Sequence, residues 1–345
     1  MMHRRDVLLG GAAGGLAMMA GKAGAQDVTT LRFHALVPKE TSMNIEVIVP
    51  WGQHLVEQSG GRLKFEFYPS MQLGGAPQSL FDQVRDGVVE MAQAVLAYTP
   101  GRFPKTETFE LPFLMTNAEQ TSVAVQEFAE ANALDEFAGV KVLALSTLGP
   151  GLLHTSRPVT KLEDLKGMKI RGGSRVVNDM LARLGAEPVA MPVPQVPEAL
   201  TTGVIDGTTQ PWDLTQQLRL PELVHNHTSF AGGRGFYTLV LAWVMNQAVY
   251  DGLPDDLKAI IDARPGVELA RALGKTTDAY DLIGRKAAEE LGNNLIELDE
   301  AETARWRETV QPSIEQWYAD SAAVGTDGKA LHEQALALLD KQAAG

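Results

Sequence analysis

The stretch Thr160-Lys161-Leu162-Glu163-Asp164-Leu165-Lys166-Gly167-Met168-Lys169-Ile170-Arg171 carries three signals in a row. Thr160 and Glu163 form a capping box that opens a one-turn helix, Gly167 closes it, and Met168 to Arg171 reads as a strand. Downstream the alternation continues. Ser174 caps a helix whose apolar face is Val176, Val177, Met180, Leu181 and Leu184 and which ends at Gly185. Pro188 to Met191 is a strand, Pro197 to Thr202 a helix stopped by Gly203, and Val204 to Thr209 a strand. Upstream, Thr30 to Ala35 and Arg62 to Phe67 alternate apolar and polar residues as half-buried strands do. Asn44 to Glu57, interrupted by Pro50, has helical spacing between them. Pro77 to Asp86, Val89 to Val95, Ala118 to Ala131 and Val140 to Ser146 repeat helix, strand, helix, strand. Strands alternating with helices predict an α/β fold with largely parallel sheets.

The chain has 345 residues, 45% of them hydrophobic and 21% charged, so it is long enough for two domains with a cleft between them. With no cysteine, a disulfide scaffold and a thiolate metal site are excluded. A formal charge of -13 opposes any phosphate-backbone partner, and no basic stripe offsets it, so no nucleic-acid partner is expected. Tyr237 to Asn246, with Trp243, is β-rich and reads as a return to the first lobe. Asp255 to Leu291 reads as one long helix kinked at Pro265-Gly266 and lying across both lobes.

Residues 1–25 read as an export signal. Arg4-Arg5 begin it, Val7 to Ala20 is a Gly-rich apolar stretch, and Ala23-Gly24-Ala25 offers a cleavage site. Its start resembles a twin-arginine signal, although an ordinary secretory signal can also begin with two arginines. A transmembrane anchor would need about 20 apolar residues and far fewer glycines. The expected location is periplasmic, with cleavage near Ala25.

No sequence pattern specifies a reaction. There is no nucleophile elbow, zinc-binding His-Glu-x-x-His or phosphate-cradling glycine loop. His225-Asn226-His227 reads as a solvated polar loop more readily than as a metal site. Cationic groups at strand ends stand out instead, because ligands of open α/β sheets sit beyond the carboxyl ends of the strands. Arg171 closes the strand Met168 to Ile170, and Arg157 follows the run Leu152 to Ser156. A guanidinium holds a carboxylate through two parallel hydrogen bonds and keeps its charge when buried.

Three segments, Tyr68-Pro69-Ser70-Met71-Gln72-Leu73-Gly74, Asp164 to Arg171, and Ala199-Leu200-Thr201-Thr202-Gly203-Val204-Ile205-Asp206-Gly207, resemble the signature segments of the TRAP (tripartite ATP-independent periplasmic) transporter solute-binding proteins. The resemblance runs in order from Thr30 to about Tyr318. It implies a two-lobed periplasmic-binding-protein fold that closes on a small organic acid and delivers it to TRAP membrane permease subunits. Residues 26–152 and about 238–280 would then form lobe I and about 153–237 lobe II, with 255–291 the spanning helix and 292–345 a helical C-terminal segment. The family's carboxylate-binding arginine matches Arg171, and a second arginine matches Arg157. The polar residue that follows the Val-Asp-Gly turn matches Gln210, where the family often has Asn. Trp212, Tyr98 and Phe113 are expected as aromatic walls favouring a flat apolar monocarboxylate, with Arg102 and Arg175 nearer the opening. Some relatives bridge the ligand with a metal, to which Gln210 and Asp213 could contribute oxygens here; otherwise no cofactor is expected, and the protein is expected to act as a monomer. The alternative is a periplasmic hydrolase or lyase acting on a carboxylate in the same cleft.

Overall fold

A computed structural model describes residues 28–344 apart from 264; the export signal expected at residues 1–25 lies outside the described residues. Eleven strands are present among these residues. In chain order they are β1 (Thr29–His34), β2 (Leu63–Tyr68), β3 (Met91–Val95), β4 (Val140–Thr147), β5 (Leu152–Thr155), β6 (Lys169–Gly172), β7 (Glu187–Ala190), β8 (Gly207–Gln210), β9 (Asn226–Phe230), β10 (Val240–Asn246) and β11 (Asn294–Leu298). They form two sheets, ordered β2-β1-β3-β10-β4 and β11-β9-β5-β8-β6-β7. Each sheet is the centre of one lobe.

The first sheet is parallel across β2, β1 and β3, and β10 enters antiparallel between β3 and β4. The alternation read at Thr30 to Ala35 puts Leu31 and Phe33 into the core, where neither is exposed. Phe33 stacks on Phe67 at 5.6 Å and on Trp243 at 5.9 Å. Trp243 is fully buried at the middle of β10, and its indole N–H donates to Ser146 Oγ at 2.9 Å, so its one polar atom is satisfied. In the second sheet β6 runs parallel to both β7 and β8. The helix after it, Arg175–Arg183, is capped by Ser174 Oγ, which accepts from Val177 N at 3.1 Å.

Two sequence expectations change. The stretch 255–291 is broken rather than kinked. A helix Asp255–Ile261 ends before Pro265, Gly266 takes a φ of +66°, and its N–H is tied to Leu143 O at 2.7 Å. A proline without an N–H next to a left-handed glycine cannot carry the helical ladder through. The long helix is therefore Val267–Glu290. Residues 292–345 are also not all helical, since Asn294–Leu298 is β11, paired in parallel with β9 at the edge of the second sheet.

The long helix touches both lobes, packing against the helix Ala118–Asn132 and β4 on one side and the turn Trp212–Leu214 on the other. Two glycines allow this. A β-carbon at Gly274 would lie 2.4 Å from Ala118 O, and one at Gly284 would lie 2.2 Å from Trp212 O. Both neighbours are main chain, which a side-chain rotation cannot move. Asp278, between them, accepts from the N–H groups of Ala118 and Glu119 at 2.7 and 2.9 Å and so caps the neighbouring helix. Gly284→Ala is expected to lower stability by about 2–3 kcal/mol, as overpacking against rigid backbone does, read as a lower urea midpoint with unchanged slope.

Candidate functional site

Arg171 lies at the end of β6, followed by Gly172 and Gly173 before the next helix begins. That is the carboxyl end of a parallel strand, where main-chain groups leave the sheet and a cleft opens. The side chain is 1% exposed. Its Nε donates to Met191 O at 3.0 Å, and Nη1 donates to Thr209 O at 3.2 Å and to Gln210 Oε1 at 3.5 Å. Nη2 donates to the Tyr98 hydroxyl at 3.4 Å. All four partners are neutral, and among the described residues no carboxylate lies within ion-pair distance. A buried cation without a counter-charge is costly, so the arrangement calls for an anion from outside the chain. Gly173 keeps the space open: a β-carbon there would lie 3.3 Å from both terminal nitrogens and 2.7 Å from Leu239 Cδ1.

Arg171, Gln210 and Tyr98 share one cavity that is partly open to solvent. The remaining wall is mostly aliphatic, with Leu36, Val37 and Met43 after β1, Val95, Leu239 and Leu241 from the first lobe, and Val193 and Leu214 from the second. One cationic end in an apolar chamber is the pattern of a small-molecule site. Tyr98 joins the lobes. Its oxygen accepts from Arg171 and also from Val193 N at 2.9 Å. A second bridge lies outside the cavity, where Arg175 donates to Glu107 Oε1 and to Asp320 Oδ2, both at 2.7 Å. Tyr98→Phe is expected to leave the fold intact and weaken ligand affinity about tenfold, because only the closed state loses a bond; calorimetry reads the change.

Beneath the cavity floor, His154 on β5 and His227 on β9 face each other with their Nδ1 atoms 2.7 Å apart. His154 Nε2 donates to Gln210 O at 3.0 Å, and His227 Nε2 lies 2.7 Å from the Asn293 carboxamide. Burial lowers the pKa of both, so both are neutral at pH 7. A neutral His154 that gives its Nε2 hydrogen to a carbonyl must accept at Nδ1, which makes His227 the donor. The pair holds the Gln210 backbone in place. The expectation of a solvated loop at His225-Asn226-His227 is thus corrected for Asn226 and His227, which are buried in a sheet, while His225 is exposed just before it. The cause is nonlocal, because only the pairing with β5 and β11 buries them.

The cavity gathers Arg171, Gln210, Tyr98 and Asp213, and the structure places the other expected residues elsewhere. Arg157 is exposed, and its guanidinium donates to Lys166 O at 3.4 Å. Arg102 pairs with Asp82 at 2.6 Å, and its guanidinium lies 4.2 Å from the Phe81 ring. Phe113 packs on Phe230 and Phe236 at the seam between lobes. Trp212 lies edge-on to His154 at 5.1 Å and lines a separate hollow with Phe230 and Phe236. Tyr98 is thus the single aromatic residue among the described residues of the cavity wall, whose apolar part is otherwise aliphatic. A metal bridge through Gln210 and Asp213 does not fit this wall. Among the described residues no three His, Cys, Asp or Glu side chains are grouped to hold an ion. Burial also pushes Asp213 up to about 7, away from the charged form a metal needs. Asp281, whose Oδ1 accepts from Asp213 N at 2.6 Å, is raised by the same burial and by Asp213.

Gln93 was not foreseen as a wall residue. Its signal is in the sequence, where one amide interrupts the apolar run Met91-Ala92-Gln93-Ala94-Val95 of a strand buried on both faces.

Residues 33–321 match the family model described as bacterial extracellular solute-binding protein, family 7. Among solved structures, the chain is similar to a TRAP solute-binding protein from Rhodoferax ferrireducens T118, seen with copurified benzoate. The two are 40% identical, the match covers 92% of this chain and 99% of that one, and the TM-score is 0.89. A TRAP solute-binding protein of an unidentified marine microbe, specific for aromatic acid ligands and seen with 3-hydroxybenzoate, gives the same 40% identity, coverage of 92% and 99%, and TM-score of 0.89. The C4-dicarboxylate-binding periplasmic protein DctP of Rhodobacter capsulatus is 29% identical over 266 residues, 74% of this chain and 76% of that one.

Proposed function

The chain belongs to bacterial extracellular solute-binding protein family 7, whose members serve TRAP transporters, and on that premise we propose that it captures a small aromatic monocarboxylate for delivery to the membrane permease. Members of this family are periplasmic binding proteins and not enzymes, so the hydrolase or lyase alternative is set aside. The observation that supports the ligand class is the buried, uncompensated guanidinium of Arg171 at one end of an aliphatic chamber. A carboxylate takes the place of a counter-ion there, accepting two charge-assisted hydrogen bonds from Arg171 and one from the Tyr98 hydroxyl. A flat ring then lies among the side chains of Leu36, Val37, Leu214 and Leu241. A sugar acid would leave its hydroxyls against these chains, and a dicarboxylate would need a second cation that this wall lacks.

The same reading treats residues 1–25 as the export signal, cleaved near Ala25, and the mature protein as a periplasmic monomer without a nucleic-acid partner. It assigns residues 26–152 with 238–280 to lobe I and 153–237 to lobe II, with the 267–290 helix crossing between them. Closure follows from the ligand bridging both lobes, since it favours the closed state by its differential affinity alone. A thermal-shift screen of organic acids on the signal-free protein tests the proposal. Benzoate at about 100 times its Kd is expected to add about 2.7 kcal/mol of stability, and galactonate and succinate none. Stabilisation by succinate or galactonate in preference to benzoate would overturn it.

A further inference from the structure

We propose that the cavity selects aromatic acids that carry a second, neutral polar group, a ring hydroxyl, received by Gln93 and Asp213; this rests on the carboxylate reading above. Buried polar side-chain atoms nearly always have partners, and those that do not need a reason. Among the described residues, Gln93 Oε1 and Asp213 Oδ1 are both shut off from solvent and both without a hydrogen-bond partner, and both residues line the chamber that holds Arg171. Thr41, a third polar residue of this wall, is already engaged, donating to Pro38 O and accepting from Asn44 Nδ2. Ser42 also lines this wall, but the wall atoms that are both shut off from solvent and unpaired among the described residues are those of Gln93 and Asp213. They come from different lobes, Gln93 from β3 of the first sheet and Asp213 from the turn that follows β8 of the second. A ligand group that engages both would hold the lobes together as well as satisfy them.

The chemistry of that group follows from its hosts. A carboxamide presents an oxygen or an NH2, and a carboxyl group accepts when ionised and also donates when protonated. A hydroxyl both donates and accepts, so it pairs with both residues at once when Gln93 turns its NH2 inward or Asp213 is protonated. An ammonium group would place a second cation in a chamber that already holds Arg171 uncompensated. A methyl group of similar size leaves both oxygens unpaired.

Calorimetry with benzoate, 3- and 4-hydroxybenzoate and 3- and 4-methylbenzoate tests this. At least one hydroxybenzoate is expected to bind roughly tenfold tighter than its methyl counterpart. Gln93→Leu and Asp213→Leu are each expected to bring that ratio to within about threefold, read against the same variant's own affinity for the methyl acid. Asp213→Asn, which keeps an oxygen in the same place, retains the preference. Equal affinity for hydroxyl and methyl acids, or a preference that survives both leucine variants, overturns the inference while leaving the carboxylate reading intact. Failure of every acid to bind overturns both.

Discussion

Arg171→Ala is expected to weaken benzoate binding by roughly a hundredfold to ten-thousandfold, the loss of two charge-assisted hydrogen bonds worth about 1.5–3 kcal/mol each. The direction of the stability change makes the test diagnostic. Without ligand, the guanidinium is 1% exposed and held only by the Met191 and Thr209 carbonyls, the Gln210 amide and the Tyr98 hydroxyl. Removing it takes away a buried charge that no carboxylate among the described residues neutralises, so the ligand-free variant is expected to melt no lower than the parent. A residue kept for the fold would behave in the opposite way, with lost stability and retained affinity. Arg171→Lys keeps the charge but not the planar fork, and recovers only part of the affinity. Benzoate affinity within about threefold of the parent for Arg171→Ala would remove this residue from the site.

Glu110→Gln is expected to flatten the fall of stability with pH. Glu110 is 1% exposed at the end of the turn Thr106–Glu110, and its Oε2 has no partner among the described residues. Burial, reinforced by the Glu107 carboxylate, pushes its pKa from 4.5 up to about 8, against a smaller opposing pull from Ser174 and Arg175. A carboxyl group raised in the folded state is bound more tightly to its proton there than in the unfolded chain. Its contribution is fully present below about pH 4.5 and is lost as pH rises towards 8. Glutamine mimics the protonated form at every pH. At pH 4 parent and variant should melt together, and at pH 8.5 the variant should be more stable by about 3 kcal/mol, allowing for relaxation of the site around the charge. Asp213 and Asp281, both raised by burial, keep a residual slope of the same sign in the variant. Parallel curves across pH 4 to 8.5 would show that Glu110 is not the group responsible.

The parts legible in the sequence are those that local chemistry determines. The one-turn helix before Met168, capped by Asp164 rather than by the Glu163 read from the sequence, and the glycine that closes it set where β6 begins, and the rule that clefts open at the carboxyl ends of strands then points to Arg171 without any contact being known. Tyr98, just past β3, follows the same rule. Arg157 also follows a strand, β5, but that strand is antiparallel to both neighbours, so its end faces away from the cleft. Direction relative to the sheet is a tertiary property. Trp212 and Phe113 fail as wall residues for a related reason. Their neighbours, His154 and His227 for one and Phe230 and Phe236 for the other, come from elsewhere in the chain and draw the rings into other packing. β11 was missed because a short edge strand owes its state to β9, 64 and more residues before it, rather than to its own composition.

The place of β10 bears on how the protein is made. The first sheet has β10 between β3 and β4, pairing antiparallel with both. A ribosome that has released β1 to β4 has therefore produced two pieces of sheet with nothing to join them, each with an open edge until Val240 to Asn246 emerges. The first lobe cannot be finished before β5 to β9 of the second have been synthesised, so the usual order, N-terminal unit first, does not apply. A fragment ending near residue 150 is a poor candidate for independent expression, and the exposed edges of β3 and β4 are where a stalled or truncated chain would recruit a chaperone or another copy of itself.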